Sequence, residues 1–334
     1  MAVDTVNSHS LKLESPLGHN IDLMCRPLDT KCVTAFFSRY PAAISIRAKE
    51  VESALHANYL VASEEGTRER RRAEIRHSNP FGDPFAICHC SADPDKLILL
   101  ATLIDIMWIH DDVTEELSHE QANKCHEALS ECLRLDVNPE DHETADVRQK
   151  TLAVVLRKAI DIDPGQGDLL VKTLREYLAT FDCRDDDFET MAQYMPYRIA
   201  NCGYWMSSFF IRWGMGMSLR VAEYESIREY DTAMGNILGL TNDYFSWKVE
   251  QDQPTDRIRN GVRVLTREHN IAAESAQKLL LGMIVEEEAR AAYLKAERLK
   301  ASVSPGISQY FHAIELYVGG SCYWHATAPR YQTF

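Results

Sequence analysis

The sequence lacks the features that would place it across a membrane, on nucleic acid or in a disulfide scaffold. No apolar run reaches the length a bilayer span needs: the most apolar helical stretch, around Leu97 to Ile109, is interrupted by Asp105 and followed by Asp111 and Asp112. Positive charge is in deficit. Fifty acidic against 36 basic residues give a formal net charge of -14, which opposes broad attraction to nucleic acid or to an anionic membrane surface. The nine cysteines are odd in number and fall into no paired framework, so reduced thiols are expected. Cys88-His89-Cys90 is the only metal-like cluster of that kind, and no second Cys or His pair stands at a zinc-binding spacing from it. The segment Met1 to Gly18 shows no basic stretch leading into an apolar one; the reading is therefore of no secretory signal and a cytosolic location.

Strict alternation of apolar and polar residues is also scarce, which argues against half-buried strands. What recurs instead, from about Pro41 onward, is helical periodicity. The predicted helices cover roughly 42–63, 94–118, 120–134, 141–161, 166–182, 186–213, 219–250, 270–302 and 305–326. Pro94-Asp95, Asp163-Pro164-Gly165 and Ser304-Pro305 punctuate them as helix starts and breaks. A hydrophobic content of 45% suffices for a sizeable core, and 26% charged residues with a mean hydropathy of -0.30 are those of a soluble globular chain. No Pro/Ser-rich linker or fixed-period repeat divides the chain, so the expectation is a partly irregular segment 1–40 followed by one all-α domain, 41–334.

Two acidic constellations stand out. The first is Ile109-His110-Asp111-Asp112-Val113-Thr114-Glu115, at the polar end of a long apolar helical pattern. Asp111 and Glu115 lie one above the other on a helix face, with Asp112 about 100° away. Like charges so placed repel, and the cost grows at the mouth of an apolar cavity unless cations are bound. Magnesium suits such a site because it takes carboxylate oxygens and keeps waters or phosphates in its remaining positions. The second constellation runs Asn242-Asp243-Tyr244-Phe245-Ser246-Trp247-Lys248-Val249-Glu250. Asn242, Ser246 and Glu250 fall at i, i+4 and i+8, so an amide, a hydroxyl and a carboxylate form a straight row of oxygen ligands. Asn and Ser have only middling helix propensity, and placing both in line with Glu250 argues that their oxygens are wanted.

These residues resemble class I terpene cyclases, whose first motif is an Asp-Asp-rich segment and whose second has the form Asn-Asp-x-x-Ser-x-x-x-Glu. The separation of the motifs, about 130 residues, is similar to that family too, and in particular to the cyclase domains of fungal diterpene and sesterterpene synthases. Arg198 stands where such cyclases carry a diphosphate-sensing arginine, and Arg330-Tyr331 resembles their terminal Arg-Tyr pair. In many relatives a lysine precedes the last glutamate of the second motif. Here Val249 holds that position and Lys248 stands one residue earlier, rotated by about 100°.

The resemblance implies a bundle of helices around a deep apolar cavity. Asp111, with Asp112 or Glu115, would hold two magnesium ions and Asn242, Ser246 and Glu250 a third. Arg198, Arg330 and Lys248 would add cationic donors and Tyr331 a hydroxyl, with Asn201 and Cys202 as the residues that couple diphosphate sensing to ionisation, beside a helix break at Gly203. Trp108, three residues before Asp111, is the first choice of cavity wall; Phe85, Tyr204, Phe209, Phe245 and Trp324 are further candidates. The implied substrate is a linear isoprenyl diphosphate, with geranylgeranyl diphosphate in the lead by analogy. The implied partners are a second copy of the chain and a prenyltransferase domain or enzyme that supplies the substrate.

The dense basic run Arg68 to Arg76, with Glu69 and Glu74 interleaved, reads as a solvated helix face or loop, closure over diphosphate being the alternative. A prenyl-chain elongating synthase would need a second aspartate-rich motif where this chain has Asn and Ser, and a fused elongating domain is not expected within these 334 residues. A metal-dependent phosphohydrolase would need further histidines placed around His110 and Asp111. A non-catalytic helical scaffold would have no enclosed cavity.

Overall fold

The computed structural model describes residues 21–142, 146–181, 183, 187–251 and 259–331, and within them the chain is all-α apart from one small ribbon. A single turn α1 (Ile21–Met24) leads into β1 (Cys25–Pro27), which pairs antiparallel with β2 (Ala43–Ser45), Arg26 lying opposite Ile44. The helices follow in order: α2 (Ala48–Ala62), α3 (Arg68–His77), α4 (Pro84–Cys88), α5 (Pro94–Thr114), α6 (His119–Ser130), α7 (Val147–Ile162) and α8 (Gly167–Leu178). Then come α9 (Met191–Asn201), α10 (Tyr204–Gly214), α11 (Val221–Glu225), α12 (Arg228–Glu250), α13 (Gly261–His269), α14 (Ala273–Leu299) and α15 (Pro305–Thr327).

Caps explain where the main helices begin. The Asp93 carboxylate accepts from the amides of Asp95 and Lys96 while Pro94 takes the first turn of α5; Ser304 accepts from the Ile307 amide ahead of α15, again with proline inside the start. Ser118 and Gln121 close a reciprocal capping box on α6. The expected helix over 186–213 is two helices, because Gly203 adopts a left-handed φ of 76° between α9 and α10. Helices α3, α4 and α13 and the β ribbon were not among the expected elements.

Two helices carry the architecture. α5 is buried on nearly every side, with Leu97, Leu100, Leu103, Ile104, Ile106 and Ile109 all enclosed by α2, α3, α7 and α10. Each such side chain contributes about 1.5–3 kcal/mol relative to exposure. α12 is enclosed in the same way by α9, α13, α14 and α15. The irregular segment before β2 crosses α15 where Gly319 leaves no room for a side chain: an added Cβ would meet the Pro41 carbonyl oxygen at 2.1 Å. That crossing is fixed from the other side by Glu288 of α14, whose carboxylate accepts from the Ser38 hydroxyl at 2.7 Å and the Arg39 amide at 3.1 Å. Among the described residues no helix is long and apolar enough to cross a membrane.

Candidate active site

The C-terminal end of α5 and the C-terminal half of α12 face a common cavity of about 320 Å³. Its mouth is polar, with Asp111, Asp112 and Glu115 from α5, Asn242 and Glu250 from α12, Arg198 and Asn201 from α9, Arg330 and Tyr331 beyond α15, and Arg76 from α3. Its interior is walled by Trp108, Tyr177, Phe181, Leu238, Tyr317 and Trp324, with the thiols of Cys88 and Cys202. The chain is strongly acidic as a whole, yet four arginines reach this one cavity, counting Arg259 at the start of α13. That concentration offers an anion a local site that the net charge does not.

On the α5 side, Asp112 is buried and held by two arginines of α3: Arg72 Nη1 at 2.7 Å from Oδ1 and Arg76 Nη2 at 2.5 Å from Oδ2. Glu115 is exposed and shares Arg72. Arg76 also reaches Asp105 at 3.3 Å and lies over the Trp108 ring, 5.3 Å from its centroid. The run Arg68 to Arg76 is thus solvated on one side only: Arg71 and Glu74 are exposed, but Arg70 and Arg76 are buried, and Arg72 and Arg76 brace the first acidic motif. Sequence reasoning missed this because their carboxylate partners lie some 30 to 40 residues away.

On the α12 side the oxygen row is wrapped in hydrogen bonds. Asn242 Oδ1 accepts from Arg198 at 2.5 Å, and its Nδ2 donates to His325 Nε2 at 3.0 Å. The buried amide of Asn260, which caps α13, donates to the Ser246 hydroxyl at 3.3 Å, to Glu250 at 3.0 Å and to the Asp243 carbonyl at 3.0 Å. Ser246 is therefore turned toward Asn260 rather than lining the cavity, while Asn242 and Glu250 line it. Asp243 is fully buried beside Arg198 at 2.8 Å and accepts from the Tyr194 hydroxyl and the Gly261 amide. Burial pushes its carboxyl up to about 6, against the pull of Arg198. The arginine in turn donates to Asn201 at 3.2 Å.

The expected aromatic wall separates into two groups. Trp108 and Trp324 line the cavity. Phe85 stands behind Trp108, 4.9 Å between ring centroids, and Phe245 stacks between Phe37 and His325; neither lines it. Tyr204 and Phe209 face the core instead: the Tyr204 hydroxyl donates to buried Asp231 at 2.6 Å, in a network with Tyr224, Tyr310 and Ser208, and Phe209 packs on Phe210. Lys248 is exposed on α12 and outside the cavity, as its rotation from the position of Val249 entails. His110 also turns inward: its Nε2 lies 2.9 Å from His126 Nδ1, and burial pulls its pKa down to about 3. It offers nothing to the phosphohydrolase reading.

The donors suit a hard cation. Asp111, Asn242, Ser246 and Glu250 present only oxygens, the set that magnesium takes in preference to softer metals. Among the described residues no three of His, Cys, Asp and Glu gather as a preformed metal cluster; the oxygen donors are divided between two helices and include an amide and a hydroxyl.

Residues 102–290 match the family model described as terpene synthase family 2, C-terminal metal binding, a span that contains Asp111, Arg198 and the Asn242 row and more than half of the chain. The chain belongs to terpene synthase family 2. Among its relatives, the bifunctional terpene synthase FUP1 of Fusarium proliferatum is 26% identical over 318 residues, covering 91% of this chain and 42% of that protein. The sesterterpene synthase btcA of Neocamarosporium betae is 28% identical over 254 residues, 72% of this chain and 35% of that one. The fusicoccadiene synthase of Phomopsis amygdali is 24% identical over 252 residues, again 35% of its length. This family member thus spans well under half of the curated relatives it matches. Its fold is that of class I terpene synthases: the aristolochene synthase structure from Penicillium roqueforti superposes with a TM-score of 0.76 at 18% identity, over 88% of this chain and all of that one.

Proposed function

We propose that the protein is a magnesium-dependent terpene cyclase that ionises a linear isoprenyl diphosphate and cyclises the resulting cation. The observation that carries this reading is the single cavity onto which Asp111, the Asn242 and Glu250 carboxamide and carboxylate, Arg198, Arg330 and an aromatic wall all open. Asp111 would hold metal on the α5 side, and Asn242 and Glu250 on the α12 side, joined by Ser246 once its hydroxyl leaves Asn260 and turns to the cavity. Bound magnesium supplies Lewis-acid and electrostatic stabilisation of a departing diphosphate. Arg198, Arg330 and the Tyr331 hydroxyl donate hydrogen bonds to the same anion, and Arg76 and Arg259 add positive potential from the cavity rim. Asp112, engaged by Arg72 and Arg76, contributes by aiming that rim rather than by ligating.

Below the polar mouth, Trp108, Phe181, Tyr177 and Trp324 exclude water and present ring faces, each worth about 0.5–2 kcal/mol to a nearby cation. Arg76 and Phe85 both pack against the Trp108 ring and hold it in place at the cavity wall. Geranylgeranyl diphosphate is the leading substrate, by analogy with the diterpene cyclases the motifs resemble, and the relatives named as sesterterpene synthases make geranylfarnesyl diphosphate the next to test. A prenyltransferase that supplies it, in a longer protein or as a separate enzyme, is consistent with a relative named as bifunctional. Incubation with magnesium and farnesyl, geranylgeranyl or geranylfarnesyl diphosphate, with and without isopentenyl diphosphate as the C5 donor for elongation, tests the reading by gas chromatography of the organic extract and assay of prenyl diphosphates and phosphate in the aqueous phase. Cyclic products from any of the three support it. Longer prenyl diphosphates would make the protein an elongating synthase, and inorganic phosphate alone a hydrolase.

A further inference from the structure

A chain of hydrogen bonds crosses the mouth of the cavity from α9 to α15, and its two ends fix its direction. At one end Arg198 has only donors to give, so the Asn242 atom 2.5 Å from it is the amide oxygen. Asn242 therefore turns its NH₂ to His325, 3.0 Å away, and that contact needs an unprotonated Nε2. At the other end the backbone carbonyl of Ser321, which can only accept, lies 2.7 Å from His325 Nδ1 and so requires the proton there. The whole relay has one consistent polarity: Arg198 N–H to Asn242 oxygen, Asn242 N–H to His325 Nε2, His325 Nδ1–H to Ser321 oxygen. His325 is buried at the edge of the cavity, its ring stacked between Phe245 at 5.8 Å and Tyr331 at 5.1 Å, which opposes a ring flip; the Ser321 hydroxyl, 3.3 Å from Nδ1, can accept from the same N–H.

We propose that His325 is a positioning residue that locks the Asn242 carboxamide with its oxygen toward the cavity and Arg198, so that the amide oxygen is presented to metal and never the amide nitrogen. Arg198 also favours the oxygen, but in the proposed reaction it is drawn to diphosphate, and an asparagine then held by neither partner exchanges its oxygen and nitrogen by a half-turn about its last side-chain torsion; a nitrogen-first amide cannot ligate magnesium. Partners that orient a ligand from behind typically change metal affinity by about 10–100-fold when removed. The proposal rests on the reading of Asn242 as a ligand.

The test is a thermal-shift titration of magnesium in the presence of inorganic diphosphate, read as the magnesium concentration that gives half of the ligand-induced rise in melting temperature. His325→Phe keeps the stacked ring but offers no acceptor, and should move that midpoint upward by about 10-fold or more. His325→Gln places an amide oxygen near the position of Nε2 and should return the midpoint close to that of the unsubstituted protein. Should His325→Phe fail to fold, His325→Asn, too short to reach Asn242, takes its place with the same upward shift expected. Asn242→Ala is the control for the underlying reading and should abolish the magnesium-dependent rise. An unshifted midpoint in His325→Phe alongside loss in Asn242→Ala overturns the proposal, as does an equal shift in the Phe and Gln variants. An unchanged midpoint in Asn242→Ala would instead remove the second motif from metal binding altogether.

Discussion

Alkaline pH should destabilise this protein through one imidazole. The side chain of His77, at the end of α3, is 4% exposed and sits between two buried carboxylates, with Nδ1 2.5 Å from Asp83 and Nε2 2.9 Å from Asp105. Burial opposes a charge on the ring, but Asp105 and Asp83 outweigh it and hold the pKa at about 9 against the ordinary 6.5. At 1.36 kcal/mol for each tenfold change in proton affinity, that difference is worth about 3 kcal/mol of folding free energy. Because the folded pKa is raised, the contribution is complete below pH 6.5 and is lost as the pH climbs through 9. At about 2.1 cal/mol/K of unfolding entropy per residue, 1 kcal/mol moves the melting temperature of a 334-residue chain by about 1.4 °C, so about 4 °C should disappear between pH 6.5 and 9.5. Melting curves of the unsubstituted protein and of His77→Gln across that range isolate the effect. The variant should be less stable at pH 6.5 and its profile markedly flatter. Parallel profiles for the two proteins would refute the assignment of an imidazolium to this site.

Other outcomes follow from the geometry. If Glu250 ligates metal as proposed, Glu250→Ala should lower turnover by more than about 100-fold, beyond what loss of an outer partner costs, with the helical circular dichroism spectrum intact; near-normal turnover would take Glu250 out of the site. Trp108→Ala should redistribute products, since a ring face worth about 0.5–2 kcal/mol is enough to bias competing cation branches; an unchanged product profile by gas chromatography would make Trp108 plain core. Gly319→Ala should destabilise the fold by at least about 1–3 kcal/mol, because its Cβ would collide with backbone rather than with a movable side chain, and a melting temperature equal to that of the unsubstituted protein would contradict the tight crossing of segment 36–42.

Local features were legible in the sequence and remote ones were not. Pro94-Asp95 and Ser304-Pro305 announced the starts of α5 and α15, though not the Asp93 cap, and the i, i+4, i+8 spacing of Asn242, Ser246 and Glu250 placed three oxygen-bearing side chains on one helix face. Spacing along one helix says nothing of what stands opposite it, and Ser246 turns to Asn260, the cap of the next helix. Tyr204 was a candidate for the wall only as an aromatic residue near Arg198, and its hydroxyl is spent on Asp231, 27 residues on. The arginines of α3 looked solvated because charge runs generally are, and their acidic partners lie on α5. His325 left a faint signal, as a lone imidazole in the otherwise apolar end of α15, five residues before Arg330. Its direction of hydrogen bonding emerges only once Arg198 and Ser321 are seen on either side.

The central claim is that α5 and α12 present one shared site to metal and diphosphate. A crystal structure grown with magnesium and inorganic diphosphate tests it most directly. Ions on Asp111 and on the Asn242, Ser246 and Glu250 oxygens, with diphosphate between them against Arg198 and Arg330, are the predicted result. Diphosphate bound elsewhere, or an Asn242 row that stays closed on Arg198 and Asn260 with no ion beside it, would contradict the account.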